Sequence, residues 1–205
     1  NISFSANVTD VSGNIVSGST SVTVHQSEVY AGIRSVSYVG KQGEETPFEV
    51  VVLDWDSNPV ANQKVSIKFV ERRWFSAQTQ DKQGTLRWET SVKEIPVTTV
   101  NAVTGEDGKA IVSFVPPKGG VYKAIVTVRD TKGHTNQASA YTWISSEDYV
   151  AWRQTNDRAF NLIADKDTYS PGDTAEILIA QPFTHAVYAL VTYERGHVYK
   201  QDVVL

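Results

Sequence analysis

The sequence predicts an all-β protein built from tandem antiparallel β-sandwiches. Three observations predict this fold class: apolar and polar side chains alternate with a period of two, turn-forming residues interrupt the alternation at short intervals, and two parts of the pattern recur about one domain length later. Helical spacing of apolar residues is nearly absent. Because 205 residues exceed the roughly 100 residues of one immunoglobulin-like sandwich, more than one domain is expected.

The predicted strands are the segments in which β-branched and aromatic residues occupy every second position. Such alternation places one set of side chains on a buried face and the other on a solvated face. These segments are residues 19–24, 48–53, 64–70, 85–90, 110–114, 120–128, 138–144, 174–179 and 186–193. Clusters of Gly, Pro, Asp, Asn and Ser separate them, at residues 10–13, 56–59, 105–108, 116–120 and 169–173.

Two internal repeats organise the chain. The first has an offset of 120 residues and matches Val8 with Val128, Asp10 with Asp130, Gly13 with Gly133, and Ser19 with Ser139. The second has an offset of 129 residues and matches Gly43-Glu44 and Phe48 with Gly172-Asp173 and Ile177. The end of one domain is therefore repeated, and so is the beginning of one.

These repeats predict the domain boundaries. Residues 1–27 are expected to be the closing strands of a preceding domain, and residues 28–147 a complete sandwich with a hairpin insertion at about 71–100. Residues 148–156 are expected to be a linker, which packs in a groove because it carries large apolar side chains, and residues 157–205 the opening strands of a following domain. The insertion is expected to fold over an edge or an open face. A chain without methionine is expected to be an internal piece of a longer protein.

Composition excludes several classes of function. The formal net charge is -4 and the charges are scattered, so nucleic acid is not an expected partner. The absence of cysteine excludes disulfides, thiolate metal sites and thiol nucleophiles from this chain. Its longest apolar runs are too short to span a bilayer, so the fragment is not expected to contact a membrane.

The sequence contains no pattern that carries catalytic chemistry. GxSxG, HExxH and P-loop motifs are missing, and His25, His134, His185 and His197 lack the spacing of metal ligands. We therefore expect no catalytic, cofactor-binding or metal-binding residues, no cofactor, and no enzyme activity. Carboxylate pairs that could in principle bind Ca²⁺ are instead expected to be solvated turns: Glu44-Glu45, Asp54 with Asp56, Glu147-Asp148, and Asp165 with Asp167.

Seven aromatic residues are the large side chains most expected to matter: Tyr30, Trp55, Trp74, Phe75, Trp88, Trp143 and Trp152. The favoured interpretation is packing in cores and between domains, because each ring can bury roughly 150–250 Å². The alternative is a carbohydrate-binding or adhesive surface around Trp74 and Trp88.

Six segments, read in order, resemble a known family. They are residues 56–65 (DSNPVANQKV), 71–74 (ERRW), 104–110 (TGEDGKA), 151–153 (AWR), 165–175 (DKDTYSPGDTA) and 189–196 (ALVTYERG). Together they resemble macroglobulin-like domains of bacterial alpha-2-macroglobulins, and they extend over nearly the whole chain. The resemblance implies tandem macroglobulin-like sandwiches that form an internal segment of such a protein.

The resemblance also implies a function. Bacterial alpha-2-macroglobulins are endopeptidase inhibitors: a protease cuts a bait segment, the scaffold rearranges and the protease is trapped, in many members through a Cys-Gln thioester. Because this chain has no cysteine, that thioester cannot lie in it. The implied partners are other macroglobulin-like domains of the same parent chain and the target proteases. The implied location is the periplasm or the cell surface, with the parent anchored to a bacterial membrane as a lipoprotein.

Two other interpretations remain open at the level of sequence. Adhesins and cell-surface spacers also string β-sandwiches together, and their turns contain similar motifs. A domain that binds carbohydrate beside an enzyme would use the exposed tryptophans of the insertion. Neither interpretation needs catalytic residues, so the sequence does not separate them from a protease inhibitor.

Overall fold

The computed structural model describes residues 1–80, 86–147, 150, 161–181, 183 and 186–205, and every regular element in them is a β-strand. The strands are β1 (Ile2–Thr9), β2 (Ile15–Val22), β3 (Val29–Ser35), β4 (Val39–Lys41), β5 (Thr46–Asp54), β6 (Lys64–Gln80), β7 (Leu86–Val103), β8 (Lys109–Phe114), β9 (Gly120–Arg129), β10 (Thr135–Ser145), β11 (Leu162–Ala164), β12 (Ile177–Ile179), β13 (Ala189–Glu194) and β14 (Val198–Val204).

The prediction of an all-β fold class is confirmed. Each of the nine predicted segments overlaps an observed strand, whereas β1, β3, β4, β11 and β14 were not predicted. The missed strands are edge strands or members of isolated hairpins, where the alternation between buried and exposed residues is weakest. No helix in the described part of the chain is long and apolar enough to cross a membrane.

Strands β3 to β10 form a sandwich of two sheets. One sheet has five strands in the order β4-β10-β9-β6-β7, and the other has three in the order β3-β5-β8. All neighbours are antiparallel except β4, which runs parallel to β10. The alternation of β5 shows how the sequence builds the sandwich: Phe48, Val50 and Val52 are buried, while the residues between them are partly exposed.

A cluster of aromatic rings fills the space between the sheets. Phe69 stacks on Phe114 with ring centroids 4.4 Å apart and an interplanar angle of 9°. Phe48 meets Phe69 edge-on at 5.3 Å, and Tyr122 tilts against Phe114 at 5.2 Å. The hydroxyl of Tyr122 donates to the carbonyl of Lys118, so its polar end is satisfied although the ring is fully buried. Burial raises the pKa of Tyr122 to about 12.

Trp143 lies outside this core. On β10, the side chains of Thr142 and Ile144 are fully buried, so Trp143 between them points to the outer face of the five-stranded sheet and is half-buried there. It pairs with Val121 of β9 and Val39 of β4. The ring therefore covers the outside of the sheet instead of filling the sandwich.

Three connections share one turn geometry. In the turn after β9, Oδ1 of Asp130 accepts hydrogen bonds from the backbone N–H groups of Lys132 and His134, and Gly133 adopts a φ of 90°. The same arrangement occurs at Asp10 to Asn14, with Gly13 at a φ of 83°, and at Asp54 to Asn58, with Ser57 at 67°. The aspartate carboxylate accepts hydrogen bonds from backbone N–H groups that would otherwise lack a backbone acceptor in such a short turn.

Strand registers reproduce the first internal repeat. The β1–β2 hairpin pairs Ile2 with Val22, and 120 residues later the β9–β10 hairpin pairs Tyr122 with Thr142. Both hairpins close on the aspartate turn just described. The first hairpin is exposed along both strands, whereas the second is part of the sandwich.

The second repeat also keeps its register. Leu162 of β11 pairs with Ile179 of β12, as Ile33 of β3 pairs with Val50 of β5, 129 residues earlier. The remaining strands, β13 and β14, form a hairpin of their own with a bulge at Glu194. The proposed boundaries between domains, at residues 27, 147 and 156, stay predictions.

Candidate functional site

A buried carboxylate, that of Asp130, binds the residues that immediately precede the first strand of the sandwich. Asp130 accepts a hydrogen bond of 3.2 Å from the hydroxyl of Ser27 and one of 3.1 Å from the backbone N–H of Glu28. Its own turn supplies two backbone donors, and Nδ1 of His134 donates to Oδ2 at 2.9 Å. We call Ser27, Glu28, Asp130 and His134 the entrance cluster. It ties the residues just before β3 to the turn between β9 and β10.

These donors keep the buried carboxylate charged. Burial alone would raise the pKa of Asp130, but hydrogen bonds from the Glu28 backbone and from the side chain and backbone of His134 outweigh it and hold the pKa well below its usual range. Glu28 adds two surface contacts to the same turn: it accepts from the hydroxyl of Thr131 at 2.8 Å and pairs with Nζ of Lys132 at 2.7 Å. The entrance is thus fixed by polar contacts.

A second polar junction lies where the chain leaves the sandwich. The backbone N–H of Tyr38 donates to the carbonyl of Asp165 at 3.0 Å, and the Tyr38 hydroxyl donates to the carboxylate of Asp167 at 2.9 Å. The carbonyl of Tyr38 accepts from the backbone N–H of Trp143 at 2.8 Å. We call Tyr38, Asp165 and Asp167 the exit junction, because it connects β10 to the loop after β11.

Hydrogen bonding shifts the pKa values of Tyr38 and Asp165 in the exit junction. The hydrogen bond to Asp167 raises the pKa of Tyr38, because removing the phenol proton would leave two negative charges side by side. A hydrogen bond from the Tyr169 hydroxyl lowers the pKa of Asp165, whose Oδ1 also accepts from the backbone N–H of Glu176. The contacts from Tyr169 and Glu176 favour the charged form of the Asp165 carboxylate.

The predicted insertion is formed by the extension of two strands. β6 pairs with β9 only as far as Arg72 opposite Val121, but it pairs with β7 all the way to Gln80 opposite Leu86. We call residues 73–80 and 86–93 the β6–β7 arm. Eight residues of strand reach roughly 25 Å. The arm continues the ribbon of β6 and β7, with a bulge between Phe69 and Val70. The expectation that the insertion folds over an edge or an open face stays a prediction.

Cations and aromatic rings cover the outer face at the base of the arm. The guanidinium of Arg72 lies 4.7 Å from the ring centroid of Trp74 and 5.1 Å from that of Tyr141. Glu94 pairs with Arg72 at 3.6 Å and with Lys123 at 3.3 Å. This network explains why Val70 and Val121 are buried although both face outward.

The carbohydrate alternative depends on the arm. One face of Trp74 is occupied by Arg72, which leaves less of the ring for stacking against a sugar. Phe75, on the opposite face of the ribbon, is half exposed. The side chain of Trp88 and the whole of Trp152 lie outside the described residues, so their predicted roles stay predictions.

The three histidines in the described ranges lie apart from one another. Nδ1 of His25 hydrogen-bonds the Tyr30 hydroxyl at 2.9 Å, His134 belongs to the entrance cluster, and His197 accepts at its backbone carbonyl from Arg195 in the β13–β14 turn. His185 lies outside the described residues. Within the described ranges no group of three or more His, Asp or Glu side chains could hold a metal ion.

Two of the four carboxylate pairs accept hydrogen bonds from other residues of the protein. Oδ1 of Asp54 accepts the N–H groups of Asp56 and Asn58, and Oδ2 of Asp56 accepts from the indole of Trp55 at 3.1 Å. Asp165 and Asp167 belong to the exit junction. Glu44 and Glu45 are exposed, and Glu147 is exposed beside Asp148, which lies outside the described residues. Hydrogen bonds from neighbouring donors thus account for the pair Asp54 and Asp56 and for the pair Asp165 and Asp167.

Sequence reasoning identified neither junction, because each joins residues more than 100 positions apart. A local signal was present at the entrance: aspartate followed four positions later by Asn or His occurs at Asp10, Asp54 and Asp130. It predicts the turn, but it does not indicate which of the three aspartates binds another segment of the chain.

The predicted linker makes one further contact. Val150 and Ser146 lie so close to Gly119 that a side chain at position 119 would collide with both.

Comparisons with known proteins agree with this architecture. Residues 32–143 match the bacterial macroglobulin domain 6 family. The chain is 25% identical over 196 residues to an alpha-2-macroglobulin homolog from Nostoc sp., covering 95% of this chain and 10% of that protein. The native conformation of Escherichia coli alpha-2-macroglobulin superposes with a TM-score of 0.51 at 16% identity, over 98% of this chain and 14% of that one. Salmonella alpha-2-macroglobulin reacted with methylamine gives 0.48 at 15% identity, over 98% and 13%.

The fold defines a class of protein: an all-β protein with a two-sheet antiparallel sandwich, to which the flanking strands are tied by polar contacts. The match over residues 32–143 extends over more than half of the chain, so the chain belongs to the bacterial macroglobulin domain 6 family. Its similarity to bacterial alpha-2-macroglobulins extends over nearly its whole length. The chain spans about a tenth of the length of the Nostoc relative.

Proposed function

We propose that this chain is a scaffold segment of a bacterial alpha-2-macroglobulin, an endopeptidase inhibitor that traps proteases after they cut its bait segment. The observation that carries the proposal is the family match over residues 32–143, supported by the similarity of 196 residues to an alpha-2-macroglobulin homolog. The chain itself has no catalytic role: it contributes no cysteine to a thioester, and its function is mechanical.

The two kinds of contact in the structure support a mechanical role. The sandwich is held by a closely packed apolar core, which resists deformation. The Tyr38–Asp167 hydrogen bond of the exit junction is exposed, so it can be exchanged for bonds to water at low cost. A trap needs both properties, because units must keep their shape while the angles between them change.

The family also supplies the proposed partners and location. We propose that the chain contacts other macroglobulin-like domains of its parent protein, and that the parent binds its target proteases. We further propose that the parent acts in the periplasm or at the cell surface, anchored to a bacterial membrane as a lipoprotein. Cell fractionation of the native host, with antibodies against this segment, tests the location: recovery in the cytosolic fraction would contradict it.

Native mass spectrometry of the full-length parent protein tests protease trapping. After mixing with an active protease, we expect a stable complex in which the parent has been cut once and the protease is retained. A protease with a chemically blocked active site is the control and should form no such complex. Repeated cleavage without a retained protease would favour the adhesin or spacer interpretation instead.

A variant links this segment to trapping. Tyr38→Phe in the full-length parent removes the hydrogen bond to Asp167 but keeps the ring. We expect the rate of bait cutting to stay unchanged and the yield of trapped protease to change, because the junction affects the rearrangement and not the bait. Tyr141→Phe is the matched control, since its ring still stacks with Arg72. Equal yields for the parent and both variants would argue against a role of this junction in trapping.

A further inference from the structure

The outer face of the five-stranded sheet is basic, although the chain as a whole has a formal net charge of -4. Five cations of β6 and β9 lie on this face, because their strand neighbours point into the core: Lys64, Lys68, Arg72, Lys123 and Arg129. Among the described residues of β6, β7, β9 and β10, this face carries one carboxylate, that of Glu94, which already pairs with Arg72 and Lys123. The remaining cations are left to attract an acidic partner.

Three of these cations are free to bind such a partner. Lys64, Lys68 and Arg129 are exposed, and their side chains form no ion pair within the part of the chain that the structure describes. The register of β6 against β9 places Lys64 beside Arg129 on the neighbouring strand. Lys68 lies four residues further along β6, roughly 13 Å away. The cations therefore form a row along the sheet.

A shallow groove of about 570 Å³ runs beside this row and reaches strand β7. Its polar lining combines two of the cations with short side chains: Lys64, Ser66, Asn101, Thr127 and Arg129. Because the side chains between β7 and the cations are short, nothing bulky separates the cations from the edge of the sheet at β7.

Strand β7 forms that edge and has few of the features that usually protect one. Within the described residues it pairs with β6 alone, so its other side is open. Edge strands are commonly protected from further pairing by charged residues, proline or bulges. Pro96 and the bulge opposite Phe69 and Val70 lie at one end, but residues 98–103 (TTVNAV) are regular and contain neither charge nor proline. This stretch can accept another strand.

The open backbone groups of β7 lie on the same residues as the groove. The N–H of Thr104 donates to the carbonyl of Gln63 at 3.0 Å, so Thr104 bonds inward to the β6 side. Inward and outward residues alternate in an antiparallel pair, so Thr99, Asn101 and Val103 direct their N–H and C=O groups outward. A strand added there would place every second side chain on the basic face, about 10 Å from β6.

We infer that residues 98–103 of β7 bind an extended acidic segment of a separate protein, which adds to the sheet as a sixth strand and directs its carboxylates toward Lys64 and Lys68. Backbone hydrogen bonds would supply affinity, and the cations would select acidic side chains. A second copy of this chain is disfavoured, because pairing two β7 edges would continue one sheet and bring two basic faces side by side. The inference does not depend on protease trapping.

Peptide binding to the full-length parent protein tests the inference. The probe is a fluorescent nine-residue peptide that alternates glutamate with threonine, and fluorescence anisotropy measures its dissociation constant. We expect saturable binding. One control replaces each glutamate by lysine, and another keeps the glutamates but carries N-methyl groups on the pairing edge; neither should bind. Equal binding of the N-methylated peptide would mean that charge acts without strand addition and would overturn the inference, as would no binding of the probe.

Substitutions separate the two parts of the surface. Replacing both lysines (Lys64→Gln with Lys68→Gln) should weaken binding of the probe about tenfold, as expected for the loss of two exposed ion pairs. The matched control, Lys109→Gln with Lys118→Gln, removes two exposed cations outside the basic face and should leave the dissociation constant unchanged. Equal weakening by both pairs would mean that net charge alone matters and would overturn the assignment.

The edge itself is tested by Asn101→Pro, which removes an outward N–H but no bond to β6. Binding of the probe should be lost while the urea midpoint stays close to that of the wild type. Amide exchange of the unmodified parent gives a second readout that does not depend on a variant: the probe should slow exchange in residues 98–103 and leave β8 (Lys109–Phe114) unchanged. Residues 98–103 that are already fully protected without the probe would show that the parent itself covers the edge, and this would overturn the inference.

Discussion

The phenol of Tyr38 donates a hydrogen bond of 2.9 Å to the carboxylate of Asp167, the residue 129 positions later. Because the second internal repeat has the same offset, the two residues occupy equivalent positions in successive repeats. Tyr38 carries the donor and Asp167 the acceptor, so the two equivalent positions have complementary side chains.

The first prediction concerns this contact. Tyr38→Phe should leave the urea midpoint of the sandwich almost unchanged, because the bond is exposed and lies outside the core. Amide exchange in β11 (Leu162–Ala164) should become faster, since one of its connections to the sandwich is lost. Hydrogen exchange by mass spectrometry measures this, with Tyr141→Phe as the control. Unchanged exchange in β11 would mean that the backbone bond from Tyr38 to Asp165 is sufficient.

The second prediction is a pH dependence at the entrance cluster. The pKa of Asp130 is lowered in the folded protein, so its contribution to stability is fully present above the unfolded value of about 3.9 and is lost as the pH falls through the folded value. Asp130→Asn should therefore lower the urea midpoint at pH 7, and the difference from the wild type should shrink below about pH 4. Urea unfolding at several pH values checks this, and a difference that stays constant down to pH 2 would contradict it.

The third prediction compares two aromatic residues. Phe69→Ala should reduce the free energy of unfolding by about 3–5 kcal/mol, because the ring is fully buried between Phe48 and Phe114. Trp143→Ala should cost clearly less, about 1–2 kcal/mol, because that ring lies half-buried on the outer face. Chemical denaturation measures both. Equal losses would mean that Trp143 contributes to stability as a core residue does.

The fourth prediction separates backbone strain from steric collision. Gly133 and Gly108 both have positive φ, of 90° and 70°. A Cβ at Gly133 would meet open space, whereas at Gly108 it would lie 2.7 Å from the carbonyl oxygen of Val52 and 3.0 Å from Cβ of Pro59. Gly133→Ala should cost about 1 kcal/mol, and Gly108→Ala should cost considerably more because the collision adds to the strain. Gly133→Val should also damage its turn, since a β-branched residue adopts positive φ poorly. Thermal or urea unfolding of the three variants decides the order.

The candidate junctions show why sequence patterns predict some contacts and miss others. The turn at Asp130 follows from residues within five positions, so the sequence indicates it. The bond from Ser27 to the same carboxylate joins residues 103 positions apart, and a serine before a strand looks like any other solvated serine. The arm gives a similar contrast. The sequence indicated extra strands near Trp74, but their continuous pairing from Lys64 to Gln80 depends on the register with β7.

The all-β class, the turns, both repeats and the resemblance to bacterial alpha-2-macroglobulins follow from the amino-acid sequence alone, because all of these depend on local periodicity or on direct matching of residues. The buried face of β10, in contrast, depends on packing in three dimensions. On β10, Tyr141 and Trp143 alternate with Thr142 and Ile144, so both faces are apolar enough to be core. Thr142 and Ile144 face the space between the sheets, whereas Tyr141 packs on the outer face with Arg72 and Lys123, and Trp143 lies half-buried on the same outer face.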